Sequence, residues 1–554
     1  MRNLLLKISI TLLVLVIGFS CEYFKLMSYN EWKQFIESAG SDDLAPVFPE
    51  NTIFVASQST LPDTTPDGTM NNPFSTISEA IDSASYFSAS STPILIAVQT
   101  GDYTENITLI SNISIYGGYG TGWRQSGEQS HILNSGLAED WTIYGSNTNN
   151  IELYNLYVQF LNSNQGIDSS TINITGSNIK IDKCTVFSDS NSSTGSSNAI
   201  TISDPNNGPL NISNSTIYLS ENMFSGTDTS TGIKYTGGGE ISINGNTITT
   251  FNDSYRDHNY YGIDIAGSGT GGQNNMIENN EINLGYDYDS DTAVNSITGI
   301  HIDLPNAVTS VRNNRIYTSN ARTVYGINLI DNSNTTPVLV YNNAVFVYAG
   351  DCTITMPPIS INSSANIRLY NNTLYTLFSP LYQYASTMFN STNTTTSLHP
   401  DIVNNIFYIE KIKYDQPNTT AVNLQNGITP ERLHNNLFYW KPADGDTSAD
   451  GTNFIVYNNN NKSVSYKFRE TDKMTVYFNN GNYTDFLSSY SNKFSDPFMS
   501  TSEIFINKNW MKPGNSTINS EGVNMAFDSY AGMYDFDINY TKRGTLWTIG
   551  AMEY

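Results

Sequence analysis

Three residues of different chemistry stand at the same place in a recurring short motif. The pattern G-I-x-I and its near variants return at Ile200, Ile233, Ile263, Ile300, Ile327 and Ile359, and the x position reads Thr201, Lys234, Asp264, His301, Asn328 and Ser360. Apolar and polar residues alternate in these segments as they do in a β-strand, so an inward Ile leaves x outward. Stacked copies would lie about 4.8 Å apart, making Lys234, Asp264 and His301 nearest neighbours, with Asp303 beside His301 on the same side of its strand. A cation, a carboxylate and an imidazole in a row can take up and deliver a proton. Asp264 and Asp303 on adjacent rungs would also fall within the roughly 5 to 9.5 Å that two carboxyls need to cleave a glycosidic bond.

The long connections around this column add further groups. Segment 251–261 brings Arg256, Asp257 and His258 as binding candidates, segment 285–295 brings Asp287, Asp289 and Asp291, and segment 348–358 brings Asp351. Carboxylates at alternate positions can hold Ca²⁺, the one cofactor this reading suggests. Each feature also has a plainer reading. An outward column of Lys, Asp, His and Asn can be a solvated sheet face with weak surface pairs. The DYDSD run lacks the Gly and the closing Glu of an EF-hand loop, and then reads as a solvated acidic loop.

The elements that must position these residues recur too. Asn-rich copies end in apolar anchors at Leu156, Val186, Ile217, Ile248, Ile282, Ile316, Val345, Leu374, Ile406 and Leu437, spaced 29 to 34 residues apart. Such a period means a solenoid whose units bury their apolar edges against one another. The G-I-x-I beat falls between successive anchors, so each unit carries at least two short strands and the chain is all-β, of about ten rungs. Asn before each anchor suits a corner, because its amide tolerates the left-handed region and can bond to the next copy in a ladder. The residue after each anchor forms a second outward column, aromatic in eight of ten copies, from Tyr157 through Phe187, Tyr218, Tyr317, Phe346, Tyr375 and Phe407 to Phe438. Exposed, its rings would be a platform for sugar rings, with Tyr317, Phe346 and Tyr375 as binding candidates; covered, they would be structural.

Charge and punctuation bound the partners. Twenty-six basic residues against 51 acidic ones give a net charge of −25, or −27 without Arg2 and Lys7, so a phosphate backbone would be repelled and nucleic acid is not an expected partner. Arg2 and Lys7 precede an apolar run from Ile8 to Ile17 that is too short to span a bilayer, which predicts an export signal over residues 1–20. Gly18-Phe19-Ser20-Cys21 resembles a bacterial lipoprotein signal, which implies lipidation of Cys21, a tether over 21–50 and a cell-envelope location on a lipid bilayer. Cys184 and Cys352 lie five anchors apart and read as two buried thiols rather than a disulfide or a metal site. His131, His399 and His434 stand alone and receive no role.

Residues 51–135 change texture: a strand, a Gly/Pro/Asp turn region, a helix over Ile77 to Ser85, then strands, with the helix placed to cover the open end of the solenoid. The order Asp67-Gly68, Asn72-Pro73-Phe74-Ser75-Thr76-Ile77, Ala80-Ile81, Gly101-Asp102-Tyr103-Thr104-Glu105 and Gly117-Gly118-Tyr119 resembles the opening of secreted bacterial right-handed parallel β-helix proteins of the pectate-lyase-like superfamily. The close, Trp547 to Tyr554, is similar to their ending. The resemblance implies a right-handed parallel β-helix over 136–440 and an irregular C-terminal cap over 441–554. It extends to lyases, hydrolases and binding proteins alike, while the GHG and paired-Asp signatures of polygalacturonase-like hydrolases are missing.

The expected product is a surface-anchored solenoid that binds a polysaccharide or a glycosylated surface molecule, adhesin-like, in the groove beside the G-I-x-I face. A polysaccharide lyase or glycosidase acting through Lys234, Asp264, His301 and Asp303 is the alternative, and a structural surface rod is the third.

Overall fold

The computed structural model describes residues 48–467 apart from 58–64, 87–92, 135–138, 163–167, 191–195, 222–228, 252–257, 268–273, 286–293, 305–307, 320, 331–337, 350–356, 363–366, 379–386, 392–399, 412–419, 425–431, 435, 442–452 and 460–461. The chain divides into Met1–Pro49 and Glu50–Tyr554, and the architecture below is that of the second unit. The expected export signal, Cys21 and the expected tether as far as residue 47 lie outside the described residues, as do Arg256, Asp257, Asp287, Asp289, Asp291, Asp351, Cys352 and His399.

The unit is an all-β parallel solenoid with three strands in each full turn. One turn runs through Val294–Asp303, Val308–Arg312 and Arg315–Ser319, which we assign to the first, second and third walls. The G-I-x-I strands form the first wall and the anchors lie in the third, so the second wall adds a strand that the two sequence beats did not separate. The first two walls share one hydrogen-bonded sheet, because Trp141–Tyr154 and Ser169–Asp182 run through both. The third wall is a separate sheet of twelve described strands, somewhat more than the ten anchors. Pairing is parallel throughout except at the end, where Lys462–Lys467 turns back antiparallel on Asn453–Asn459.

The core is a set of columns of inward Ile, Val and Leu. Ile263, Ile300 and Ile327 succeed one another in the first wall, Ile277, Val311 and Val340 in the second, and Ile282, Ile316 and Val345 in the third, all fully buried. The first wall bends at a glycine column, Gly232, Gly262, Gly299 and Gly326. A Cβ on Gly299 would lie 2.6 Å from the Gly326 carbonyl oxygen and 2.5 Å from a methyl of Ile316. The neighbouring backbone and the third wall's anchor already fill that space, which explains why Gly recurs there.

The tight corner between the second and third walls takes two residues with separate jobs. The first has positive φ: Asn279, Asn313, Asn342, Asn371 and Asn404 lie between 55° and 60°, with Lys183 and Gly245 filling the same place in other turns. The second builds the ladder, from Asn246 through Asn280, Asn314, Asn343, Asn372 and Asn405 to Asn436. The backbone N–H and the Nδ2 of each donate to the Oδ1 of the next at 2.9 to 3.1 Å, and Nδ2 also donates to a second-wall carbonyl. These amides are buried, so the ladder satisfies polar groups that would otherwise be costly. It ends at Ser215, whose Oγ accepts from the backbone N–H of Cys184, the residue in the ladder position one turn earlier. Cys184 is buried, as its isolation in the sequence suggested, and burial pushes its thiol up to about 12.

Helix Ile77–Ser85 covers the first strands. Thr76 caps it in a capping box with Glu79, and Ile77, Ala80, Ile81 and Ala84 form its buried face. The Glu105 carboxylate accepts from the backbone N–H groups of Ile77 and Ser78 at 2.8 and 2.9 Å. That contact joins the two opening motifs, because a carboxylate is stabilised at a helix N-terminus and the helix is thereby held to the first turns.

Candidate functional site

The first wall brings the predicted column together in register. Thr201, Lys234, Asp264, His301, Asn328 and Ser360 are successive partners, each on the strand of its own turn. Asp303 lies two residues beyond His301 on Val294–Asp303, opposite Ala266, while Asp264 is opposite His301 itself. The inward Ile residues on either side and the glycine bend fix the outward direction of x. One slip of register would turn the whole column into the core.

Asp264 and His301 are in direct contact. His301 Nδ1 stands 2.6 Å from Asp264 Oδ1, with side-chain exposures of 16% and 19%, so the pair is mostly but not wholly withdrawn from water. An ionised carboxylate only accepts, so Nδ1 is the donor of this bond, and the other ring nitrogen, Nε2, makes no hydrogen bond to the described residues. Lys234 is Asp264's neighbour on the other side but makes no ion pair among the described residues. Two tyrosines that the sequence reading passed over flank the dyad. Tyr261 and Tyr325 immediately precede the bend glycines and lie one turn to either side of Thr298 in register. The Tyr261 ring centroid is 5.5 Å from that of His301. Burial, then the charge of Asp264 and then Tyr325, push the Tyr261 phenol up, so it remains a protonated hydroxyl. The arrangement offers an oriented imidazole, a carboxylate, an amide at Asn328, a free-standing amine and two rings on one face.

Other candidates are placed differently. His258 is buried, only 6% exposed, with Nε2 3.0 Å from Ser230 Oγ and its ring 4.8 Å from Tyr260, so it belongs to the packing at the start of its strand and not to an open binding surface. No group of three or more His, Cys, Asp or Glu gathers as a metal site among the described residues, and the aspartates proposed for calcium are not among those.

The aromatic column divides. Tyr317, Phe346, Tyr375 and Tyr408 stack with centroids 5.1, 4.8 and 4.7 Å apart, and Phe346 and Tyr375 are fully buried. Covering, not exposure, therefore applies to those two binding candidates; Tyr317 is half-buried at the edge of their cluster. Three positions were offset by one. Phe407 pairs with Leu374 and faces the core, Phe438 pairs in turn with Phe407, leaving Tyr408 and Tyr439 in register with the column, and Tyr157 pairs with His131 and Thr185, one residue short of it. Phe187 and Tyr218 are in the column and half-buried. His131, which the sequence left without a role, bonds to Asp102 at 2.9 Å and lies against Tyr157.

No protein-family signature and no curated protein sequence matches this chain. Among solved structures, the chain is similar to YbhC of Escherichia coli, at 13% identity over 52% of this chain and 81% of that one, with a TM-score of 0.30. It is also similar to the pectin methylesterase PemA from Erwinia chrysanthemi, at 15% identity over 50% and 80% of the two chains, with a TM-score of 0.28. The parallel β-helix architecture rests on the strand pairing described above.

Proposed function

We propose that this chain is a glycan-contacting surface protein, adhesin-like, that meets polysaccharide or glycosylated surface molecules on its first wall around Asp264 and His301. The observation that carries the reading is the 2.6 Å Asp264–His301 bond on an outward column flanked by Tyr261. Saccharides present hydroxyl groups around rings with apolar C–H faces, and an oriented acceptor nitrogen, a carboxylate and a tyrosine ring are complementary to both. The leader-like residues 1–20 and Cys21 support export and a lipid anchor in the cell envelope, and the charge of −25 supports partners other than nucleic acid.

The same bond favours a second reading. A His oriented by a carboxylate through Nδ1 presents Nε2 as a proton acceptor, the role a polysaccharide lyase or glycosidase would require of it. Lys234 and Asp303 would then bind or assist, and any calcium would come from the aspartates of 285–295.

The test is a panel of acidic and neutral polysaccharides, with and without Ca²⁺, read for retention, unsaturated products and reducing ends. Retention that falls at least tenfold in both Asp264→Asn and His301→Ala supports binding at this face, and cleavage lost in the same variants supports the catalytic reading. Retention unchanged in both variants would remove the first wall as the site.

A further inference from the structure

The outer face of the third wall changes character along its length. From Ala344 onward most of its described outward side chains are apolar and buried in one cluster, whereas the turns before it keep a mixed face within reach of solvent. Over these earlier turns one column runs His131, Tyr157, Thr185, Thr216 and Thr247, and the next runs Gln159, Phe187, Tyr218 and Thr249. Tyr157, Phe187 and Tyr218 are half-buried, and Leu161 at the margin is 48% exposed. The Phe187 and Tyr218 centroids are 6.0 Å apart, and His131 lies 4.9 Å from Tyr157. The Tyr157 phenol is raised by burial and by Tyr218, which places the two phenols in one patch across two turns.

We propose that this half of the third wall is a second glycan-binding surface, on which a neutral polysaccharide lies along the solenoid axis with its sugar rings on Tyr157, Phe187 and Tyr218. The turns repeat about every 4.8 Å, close to the length of one pyranose unit, so consecutive sugars advance with successive turns, from Tyr157 in one column to Phe187 and Tyr218 in the next. The threonine column beside the rings supplies a hydroxyl at each turn, able to donate or accept. Charge selects the occupant. From Asp102 to Thr249 the outward positions of this wall hold no Lys or Arg, and the chain carries a net −25, so an acidic polymer or a second copy of the chain is repelled. This surface does not require the first-wall site to bind anything.

The experiment uses the chain with its histidine rings isotope-labelled and mixed-linkage β-glucan, β-1,4-mannan, xylan and polygalacturonate as probes. At least one neutral polymer should be retained in affinity electrophoresis and should shift the ring signals of His131 while leaving those of His301 in place. Phe187→Ala with Tyr218→Ala should weaken retention at least tenfold, Tyr218→Phe should preserve it, and circular dichroism reports whether each variant is folded. Should the double variant misfold, Thr216→Arg sets a long charged side chain on the same face without removing a ring and should also abolish retention. Retention of no neutral polymer, retention of polygalacturonate alone, or undiminished retention in Thr216→Arg overturns the proposal. A signal shift at His301 alone, lost in His301→Ala, would leave the first-wall reading standing and this one refuted.

Discussion

Replacing Asn314 with Ala removes one step of the buried ladder, and the consequences can be counted. Asn314 Oδ1 accepts from the backbone N–H of Asn280 at 3.1 Å and from its Nδ2 at 3.0 Å, so the substitution leaves two buried donors without that acceptor. The Ile277 carbonyl and Asn343 Oδ1 each lose a donor as well, although Asn343 keeps the backbone N–H of residue 314. An unsatisfied buried donor costs about 1–3 kcal/mol, so the loss from two should be about 2–6 kcal/mol, a large part of a typical stability of about 5–15 kcal/mol. Urea unfolding followed by circular dichroism measures it as a lower midpoint at nearly constant slope. The decisive comparison is a double-mutant cycle with Asn280→Ala. With the Asn280 amide gone, Asn314→Ala strands only a backbone N–H, so its cost should fall by about 1–3 kcal/mol. A cost below about 0.5 kcal/mol, or the same cost in both backgrounds, would refute a cooperative ladder.

Further outcomes follow from other parts of the solenoid. Gly299→Ala should destabilise more than the ladder variant or prevent folding, because the added methyl meets the Gly326 carbonyl and Ile316 at 2.6 and 2.5 Å; normal thermal unfolding of that variant would contradict the account of the bend. Cys184, the only thiol left when Cys21 and Cys352 are made Ser, should resist iodoacetamide at pH 8 in the folded chain and react on unfolding, since burial holds its pKa at about 12. Burial raises the folded-state pKa of Asp204 above 3.8, so the folded chain holds that proton more tightly than the unfolded one. Its contribution is therefore fully present below the unfolded value and is lost as pH rises through the folded one, and Asp204→Asn should flatten the fall in stability across that window.

Much of the fold could be read because every turn meets the same environment. The inward Ile of G-I-x-I, the glycine bend and the Asn corner recur wherever the backbone makes the same demand, and register then follows, which is how Asp264 and His301 could be paired from spacing. The three errors of register have one cause. The fixed point of each turn is the ladder residue, and the true anchor lies two places after it: Ile282 after Asn280, Leu374 after Asn372, Phe407 after Asn405. Taking the first apolar residue after the corner instead chose Ile406, Leu437 and Leu156. Alternation also says only that a side chain leaves the core. Whether it then meets water depends on remote chain, so the burial of Phe346 and Tyr375 had no local signal. His258 was assigned to a loop and does lie just before strand Asn259–Ala266, but it is buried against Ser230 rather than open to a ligand. Tyr261 and Tyr325 were visible in the Y-G-I motifs, but only the x position was weighed for chemistry.

The central claim is that ligand meets this molecule at His301, and the most direct measurement follows the ring signals of labelled histidines while a retained polysaccharide is titrated in. The chain has five histidines, and His301 is distinguished by its bond to Asp264 and by the loss of its signal in His301→Ala. The account predicts, for at least one polysaccharide of the panel, saturable shifts of the His301 ring that disappear in Asp264→Asn. His301 signals that stay where they were with every retained polysaccharide would contradict it.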